Sequence, residues 1–334
     1  MMVRVAINGF GRIGRQVLQA GISDPAIEWV AVNDLTDTKT LAYLLKYDSV
    51  HGISPYPVHY DEKHLIVNGR KILVCSEKDP AKLPWKKLKV DVVVESTGLF
   101  TDGEKAKVHL SAGAKKVLIS SPGANVDITL VHGVNDKAYN AKKHNIISNA
   151  SCTTNCLAPI VDVLHRHFGV KHGFMVTAHA YTSDQCIVDA SHSNARHHDL
   201  RMTRSAAVSI IPTTTGAART VAEVIPALKG KLDGFAWRVP VPDGSIVNFT
   251  AELSKKATVE KINTVFKAES KRLAGILQYT EEPLVSRDII HNSHSCIFDA
   301  LSTKMIGEKF ISVSGWYDNE WGYACRVVDV VKRL

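Results

Sequence analysis

The chain has 334 residues, 45% hydrophobic and 22% charged, enough for two domains with full cores and ordinary for a globular protein. No apolar run approaches a membrane span and no secretory leader precedes Val3, so the expectation is a cytoplasmic protein without membrane contact. The net charge of +8 points to anionic partners, but the charge is spread out and no zinc finger, basic region or aromatic–basic RNA motif accompanies it, so no dedicated nucleic-acid site is expected.

Val3-Arg4-Val5-Ala6-Ile7 reads as a buried first strand. It runs into Gly9-Phe10-Gly11-Arg12-Ile13-Gly14 and then a helix from Arg15, the context a dinucleotide fingerprint requires. The glycines Gly9, Gly11 and Gly14 would allow a tight turn, close approach to a pyrophosphate, and helix-on-strand packing. A second strand, Glu28 to Asn33, ends at Asp34, where a carboxylate would hold the adenine-ribose hydroxyls. The plainer alternative is a glycine-rich turn with an exposed aspartate.

Thr40 to Tyr47 is helix-like, Val90 to Glu95 a buried strand, Gly103 to Ala112 a helix, and Lys116 to Ser120 and Asn145 to Ser148 further strands. The alternation predicts a doubly wound, mostly parallel, Rossmann-type sheet over residues 1–150. Its strands end in Asn33-Asp34, Ser96-Thr97 and Ser120-Ser121, at the carboxyl edge where such sheets bind ligands.

Ser151-Cys152-Thr153-Thr154-Asn155-Cys156 follows, opening a helix that continues through Leu157, Ile160, Val161 and Leu164. A thiol at a helix N-terminus meets the positive end of the macrodipole, which favours thiolate, and the flanking hydroxyls can cap the helix or hold an anion. Cys152 is thus a candidate nucleophile; the alternative is an inert buried thiol. Cys156 lies one turn on and faces the core. A metal is not expected, because the C-x-x-x-C pair has no second Cys/His pair to complete a zinc site. The six cysteines are scattered and read as a reduced set.

Beyond Cys152 the strands lengthen and alternate: Phe174 to Ala178, Gly234 to Val241, Ser245 to Leu253 and Phe310 to Tyr317. Helices from Ala217 to Leu228 and Thr258 to Leu273 lie between them. This predicts an α+β catalytic domain, 151–317, with a mostly antiparallel sheet covered on one face by helices. A last helix from Gly322 carries Val327, Val328, Val331 and Leu334 on one side.

With these motifs in place, the chain resembles the phosphorylating glyceraldehyde-3-phosphate dehydrogenases over essentially its whole length, through Ala150 to Cys156, His179 to Thr182, Ser209 to Ala218 and Ser314 to Tyr323. The resemblance implies that Cys152 is the nucleophile and His179 its base, a pairing that suits thiolate chemistry near neutral pH. It implies attack of Cys152 on the aldehyde of glyceraldehyde 3-phosphate, hydride transfer to the nicotinamide, and cleavage of the resulting thioester by inorganic phosphate to 1,3-bisphosphoglycerate, a step of glycolysis and gluconeogenesis. The substrate-phosphate site would use Thr182, Asp184 and Arg238, and the inorganic-phosphate site Ser151, Thr153, Thr215 and Gly216. Arg12, Ile13, Asp34, Lys78, Ser120 and Asn319 would hold the cofactor, with Asn319 on the nicotinamide carboxamide. The final stretch, 318–334, would complete the cofactor domain, and the chain would form a homotetramer.

Two departures from the family pattern stand out. The loop from Ile187 to Arg204 carries about four extra residues around Ser193-Asn194-Ala195-Arg196, tolerable in a surface loop. Met202 stands where the family has a phosphate-site arginine, so Arg196, Arg201 or Arg204 substitutes or phosphate binds more weakly. Asp34 favours NAD, since it repels a 2′-phosphate, whereas Ala190-Ser191 resembles NADP-using members; NAD is expected first, with NADP tolerated. The competing readings are an erythrose-4-phosphate dehydrogenase, a non-phosphorylating aldehyde dehydrogenase, and an RNA-binding role centred on the dinucleotide groove.

Overall fold

The computed structural model describes residues 2–191 and 199–334. The extra residues Ser193 to Arg196 lie outside the described residues. The chain divides into two compact units, residues 1–151 with 323–334, and residues 152–322.

The first unit is built on a nine-stranded sheet. Val3–Asn8 lies at its centre, paired in parallel with Ile27–Asn33 on one side and Val92–Glu95 on the other. Lys116–Ile119 and Ile146–Ser148 extend the parallel set. Beyond Ile27–Asn33 comes Arg70–Cys75, then an antiparallel edge made by His64–Val67 and Val58–Tyr60. The central strands are buried on both faces, as their runs of Val, Ile and Ala require. Thr38–Lys46 is capped by Asp37, whose carboxylate accepts from the Thr40 N–H; it starts earlier than the periodicity indicates and gives way to extended backbone at Tyr47. Residues 323–334 belong to this unit, and Gly21 is the reason the last helix, Trp321–Val331, can lie close: a Cβ there would stand 2.6 Å from the Trp29 ring and 3.3 Å from Val328.

The second unit is a seven-stranded sheet in which four of the six neighbouring pairs are antiparallel. Cys152–Phe168, Ala217–Val224 and Val259–Arg272 pack on one face. Met175, Thr177 and His179 alternate towards that face along Val170–Ala180, while Phe174 points to the other. On that open face Phe174, Phe235 and Trp237 form an aromatic row with centroids 5.8 and 5.4 Å apart. The predicted helix from Ala217 to Leu228 is shorter than its pattern: Pro226 has no N–H to continue it, so it stops at Val224 and a 3₁₀ turn, Pro226–Leu228, follows.

Candidate active site

Cys152 is the first residue of Cys152–Phe168 and His179 lies near the end of Val170–Ala180. The approach to the helix is set by Ala150, buried and in a left-handed conformation at φ 56°, with its N–H donating to Ser148 Oγ and its carbonyl accepting from the Tyr323 hydroxyl. The chain turns sharply there. Within the second unit, Cys152 Sγ lies 3.4 Å from His179 Nε2. His179 is buried, Cys152 half-buried.

Two groups contend for His179 Nδ1. It lies 2.6 Å from the Ala180 carbonyl and 2.6 Å from Arg238 Nη1, and that nitrogen also donates to the same carbonyl at 3.1 Å. The tautomer with the proton on Nδ1 donates to Ala180 and leaves Nε2 to accept from the thiol. Burial pushes the Cys152 thiol up to about 11, opposed by Arg238 and by Thr153. Burial, then the Arg238 charge, pulls His179 down to about 3. Burial therefore disfavours the charged form of each group taken alone. Transfer of the proton from Cys152 to His179 would place opposite charges in contact, and their attraction would work against the desolvation of each.

Thr182 and Asp184 are joined by a hydrogen bond from the Thr182 hydroxyl, and the Asp184 charge acts on His179. The Arg238 Nε is buried and has no partner among the described residues, a donor awaiting an acceptor. Cys152, His179, Arg238, Thr182 and Asp184 thus fall into one neighbourhood. Thr215 accepts from the Ala217 N–H at 3.2 Å, and Gly216 is the N-cap of Ala217–Val224, with open space where a Cβ would be. That helix packs on Cys152–Phe168. Thr153 points inward, its hydroxyl on the Tyr317 hydroxyl at 2.9 Å; Ser151 is half-buried in the first unit. Met202 is buried and faces no solvent. Arg201 is held by Asp199 and Arg204 by Asp189, both at 2.7 Å, and the two arginines line one wall of a shallow pocket of about 290 Å³ with Ser209. Arg196 lies outside the described residues.

Sequence reasoning gave no role to Tyr317 and overlooked Ser245. The Tyr317 hydroxyl also meets Thr177 at 2.9 Å, and its ring stands edge-on to His179 at 6.0 Å, fixing the imidazole plane. Ser245 supports Ala180 N–H and donates to Asn319 Oδ1 at 2.6 Å, which leaves the Asn319 NH₂ to donate elsewhere. Tyr317 lay two positions from Asn319 in a run read only for Asn319; Ser245 carried no signal beyond its strand.

The nucleotide residues lie in the first unit, apart from Asn319. Gly9 has φ 92°, and a Cβ there would stand 2.5 Å from Thr97 N. Gly14 is pressed on the Gly9 carbonyl at 2.3 Å from the Cβ position. Gly11 caps Arg12–Gly21 without a side chain, and its Cβ position meets nothing. The helix N-terminus is therefore open to an anion. Arg12 is braced by Asp48 at 3.1 Å, and Ile13 is half-buried beside it. Asp34 accepts from Phe10 N–H at 2.9 Å and Thr36 N–H at 3.0 Å and keeps lone pairs for ribose hydroxyls. Lys78 is exposed; Ser120 donates to the Glu95 carbonyl at 3.1 Å. An open helix N-terminus, a glycine cradle and a half-buried carboxylate fit a dinucleotide.

Residues 3–103 match the profile described as glyceraldehyde 3-phosphate dehydrogenase, NAD binding domain, and residues 151–319 match that of the C-terminal domain. The chain belongs to the glyceraldehyde-3-phosphate dehydrogenase family. It is 57% identical to the glyceraldehyde-3-phosphate dehydrogenase of Geobacillus stearothermophilus over 331 residues, covering 99% of this chain and 97% of that protein. Glyceraldehyde-3-phosphate dehydrogenase 1 of Bacillus subtilis (strain 168) is 54% identical over 331 residues, 99% and 97% of the two chains. The protein of that name from Mycobacterium leprae (strain TN) is 54% identical over 341 residues, 99% and 98%. The family brings a Rossmann-type NAD domain with an α+β catalytic domain, and NAD is the cofactor. No helix among the described residues is long and apolar enough to cross a membrane.

Proposed function

We propose that this chain is an NAD-dependent phosphorylating dehydrogenase of glyceraldehyde 3-phosphate, forming 1,3-bisphosphoglycerate through a thiohemiacetal and a thioester on Cys152. The observation that carries the reading is Cys152 Sγ at 3.4 Å from His179 Nε2 beside the unpartnered Nε of Arg238. A thiol, a base and an anion receptor side by side suit an aldehyde that carries a phosphate.

In this reading His179 takes the thiol proton as Cys152 attacks, and Nε2–H then faces the new oxygen together with the Cys152 N–H at the helix start. That proton passes from Nε2 to the new oxygen, giving the thiohemiacetal hydroxyl, and the neutral His179 takes it back as the hydroxyl is oxidised. NAD, when bound, supplies the acceptor for the hydride released in that oxidation. Arg238, Thr182 and Asp184 hold the substrate phosphate, while Ser151, Thr153, Thr215 and Gly216 seat the inorganic phosphate that cleaves the thioester. Arg201 or Arg204, with Ser209, takes the place of the arginine that Met202 replaces, since Met202 is buried. Arg12, Ile13, Asp34, Lys78, Ser120 and the glycines of the fingerprint hold the dinucleotide, and the Asn319 NH₂ donates to the nicotinamide carboxamide.

NAD is preferred over NADP because Asp34 carries charge at the ribose, while Ala190 and Ser191, both exposed and small, leave NADP tolerated. The protein is a homotetramer: the open sheet face bearing Phe174 and Trp237, and the exposed Ile187, Val188, Leu200, Val208 and Ile210, are the apolar surface an assembly would cover. All six cysteines are free, in keeping with a cytoplasmic setting.

The test is reduced-nicotinamide absorbance with glyceraldehyde 3-phosphate and NAD or NADP, with and without inorganic phosphate. Phosphate-dependent turnover, faster with NAD, is the expected result. Turnover indifferent to phosphate would replace this reading with a hydrolytic one.

A further inference from the structure

Glu95 ends the strand Val92–Glu95 with its side chain fully enclosed, and the ring of His109, on the helix Gly103–Ser111, is fully enclosed beside it. Four donors converge on this one carboxylate. Asn8 Nδ2 donates to Oε2 at 2.7 Å and His109 Nε2 faces the same oxygen at 2.9 Å. The Thr97 N–H, at 2.8 Å, and the Thr97 hydroxyl donate to Oε1.

The direction of each bond is fixed from outside. The Trp85 indole N–H donates to His109 Nδ1 at 3.1 Å, so the proton of a neutral ring sits on Nε2, towards Glu95. Asn33 is oriented by the backbone of one residue: its Oδ1 accepts from the Glu77 N–H, and its Nδ2 donates to the Glu77 carbonyl, both at 2.9 Å. The same Nδ2 donates to Asn8 Oδ1 at 2.7 Å, which turns the Asn8 NH₂ onto Glu95. Every donor therefore points at position 95, and only an acceptor-only group, the carboxylate, satisfies them all.

Three loops hang on that anion. Asn8 leads directly into Gly9 and the fingerprint turn. Asn33 grips Glu77, next to Lys78. Thr97, against which Gly9 is pressed, leads through its hydroxyl to Leu99 N–H at 3.0 Å. We infer that Glu95 is a positioning residue for the dinucleotide, a single buried carboxylate that sets the spacing of the loops at Gly9, Lys78 and Thr97. The inference rests on the cofactor reading above and extends it to residues that do not touch the cofactor.

The test is calorimetric binding of NAD and of ADP-ribose to ligand-free wild type and to Glu95→Gln. A glutamine has one acceptor atom, so either Thr97 or the Asn8–His109 pair meets an NH₂. Both ligands should bind about tenfold to a hundredfold more weakly, as for buried donors left unpaired. The rate at which iodoacetamide alkylates Cys152 without NAD, a property of the second unit, should not change. In turnover, KM for NAD should rise while kcat at saturating NAD is kept. If Glu95→Gln does not fold, Asn8→Ala breaks the relay one residue on and predicts the same loss for both ligands. Wild-type affinity in the variant would overturn the inference, and so would a loss of affinity matched by a loss of Cys152 alkylation. Failure of the wild-type chain to bind NAD would instead overturn the cofactor reading, and the inference with it.

Discussion

Neither Cys152 nor His179 gains by carrying charge alone, since burial opposes the thiolate and the imidazolium separately. Their shared proton resolves this, and it makes a prediction with a sign. In His179→Ala the thiolate loses its cationic neighbour while the burial remains. The midpoint of Cys152 alkylation against pH should then move upward, towards about 11; an unmoved midpoint would show that the two residues do not share the proton. Turnover of His179→Asn should fall by about 10²–10⁴, the usual loss when a general base is removed. Arg238→Gln should raise KM for glyceraldehyde 3-phosphate by about tenfold or more, through loss of a charge-assisted bond. Asp34→Gly should raise use of NADP relative to NAD, read from the ratio of kcat/KM; an unchanged ratio would remove Asp34 from the ribose. At this scale the sequence was legible where a residue type is rare and its neighbours are specific, as at Cys152 in its hydroxyl-rich run. It was not legible where polar residues end strands. Glu95 and Asn8 look like ordinary strand-end residues until the sheet brings them to 2.7 Å.

Among the elements, strong periodicity told most. Ser245–Leu253 and Phe310–Tyr317 fall where alternation places them, since one face of each is buried. The antiparallel edge at 58–67 escaped notice because its strands are only three and four residues long and follow a proline-rich turn. Cys296–Ile306 escaped because its pairing breaks register between Asp299 and Lys304, which spoils the alternation. Packing between elements was not readable at all. Glu269, on Val259–Arg272, gathers Arg166 and His167 from the Cys152 helix and Arg272 from its own. Although burial opposes its ionisation, these partners bring the carboxyl down to about 2. A carboxylate lowered in the folded state stabilises it above the unfolded value and loses that contribution as pH falls through the folded one. Glu269→Gln should therefore cost about 1–3 kcal/mol at neutral pH. The gap from wild type in urea denaturation should close between roughly pH 4.5 and pH 2. A gap constant with pH would assign the cost to packing instead.

For the molecule as a whole, the two-domain plan was visible because a double-wound pattern changes to long alternating strands near Cys152. The proposed tetramer rests on the resemblance, since a face such as Phe174 and Trp237 reads in sequence as the outer side of any strand. Sedimentation should report a tetramer, and Trp237→Asp should shift it to smaller species; a wild-type monomer would mean that the aromatic row is simply surface. The order of the chain has a further consequence. The first unit takes its closing piece, Tyr323–Leu334, from beyond the whole of the second. Val328 packs over Gly21, and Val327, Val330 and Val331 are buried with it. On the ribosome, then, the domain that begins first cannot be the first to finish. Its sheet emerges early but waits, with an apolar flank uncovered, until the catalytic domain has been synthesised and the last helix arrives.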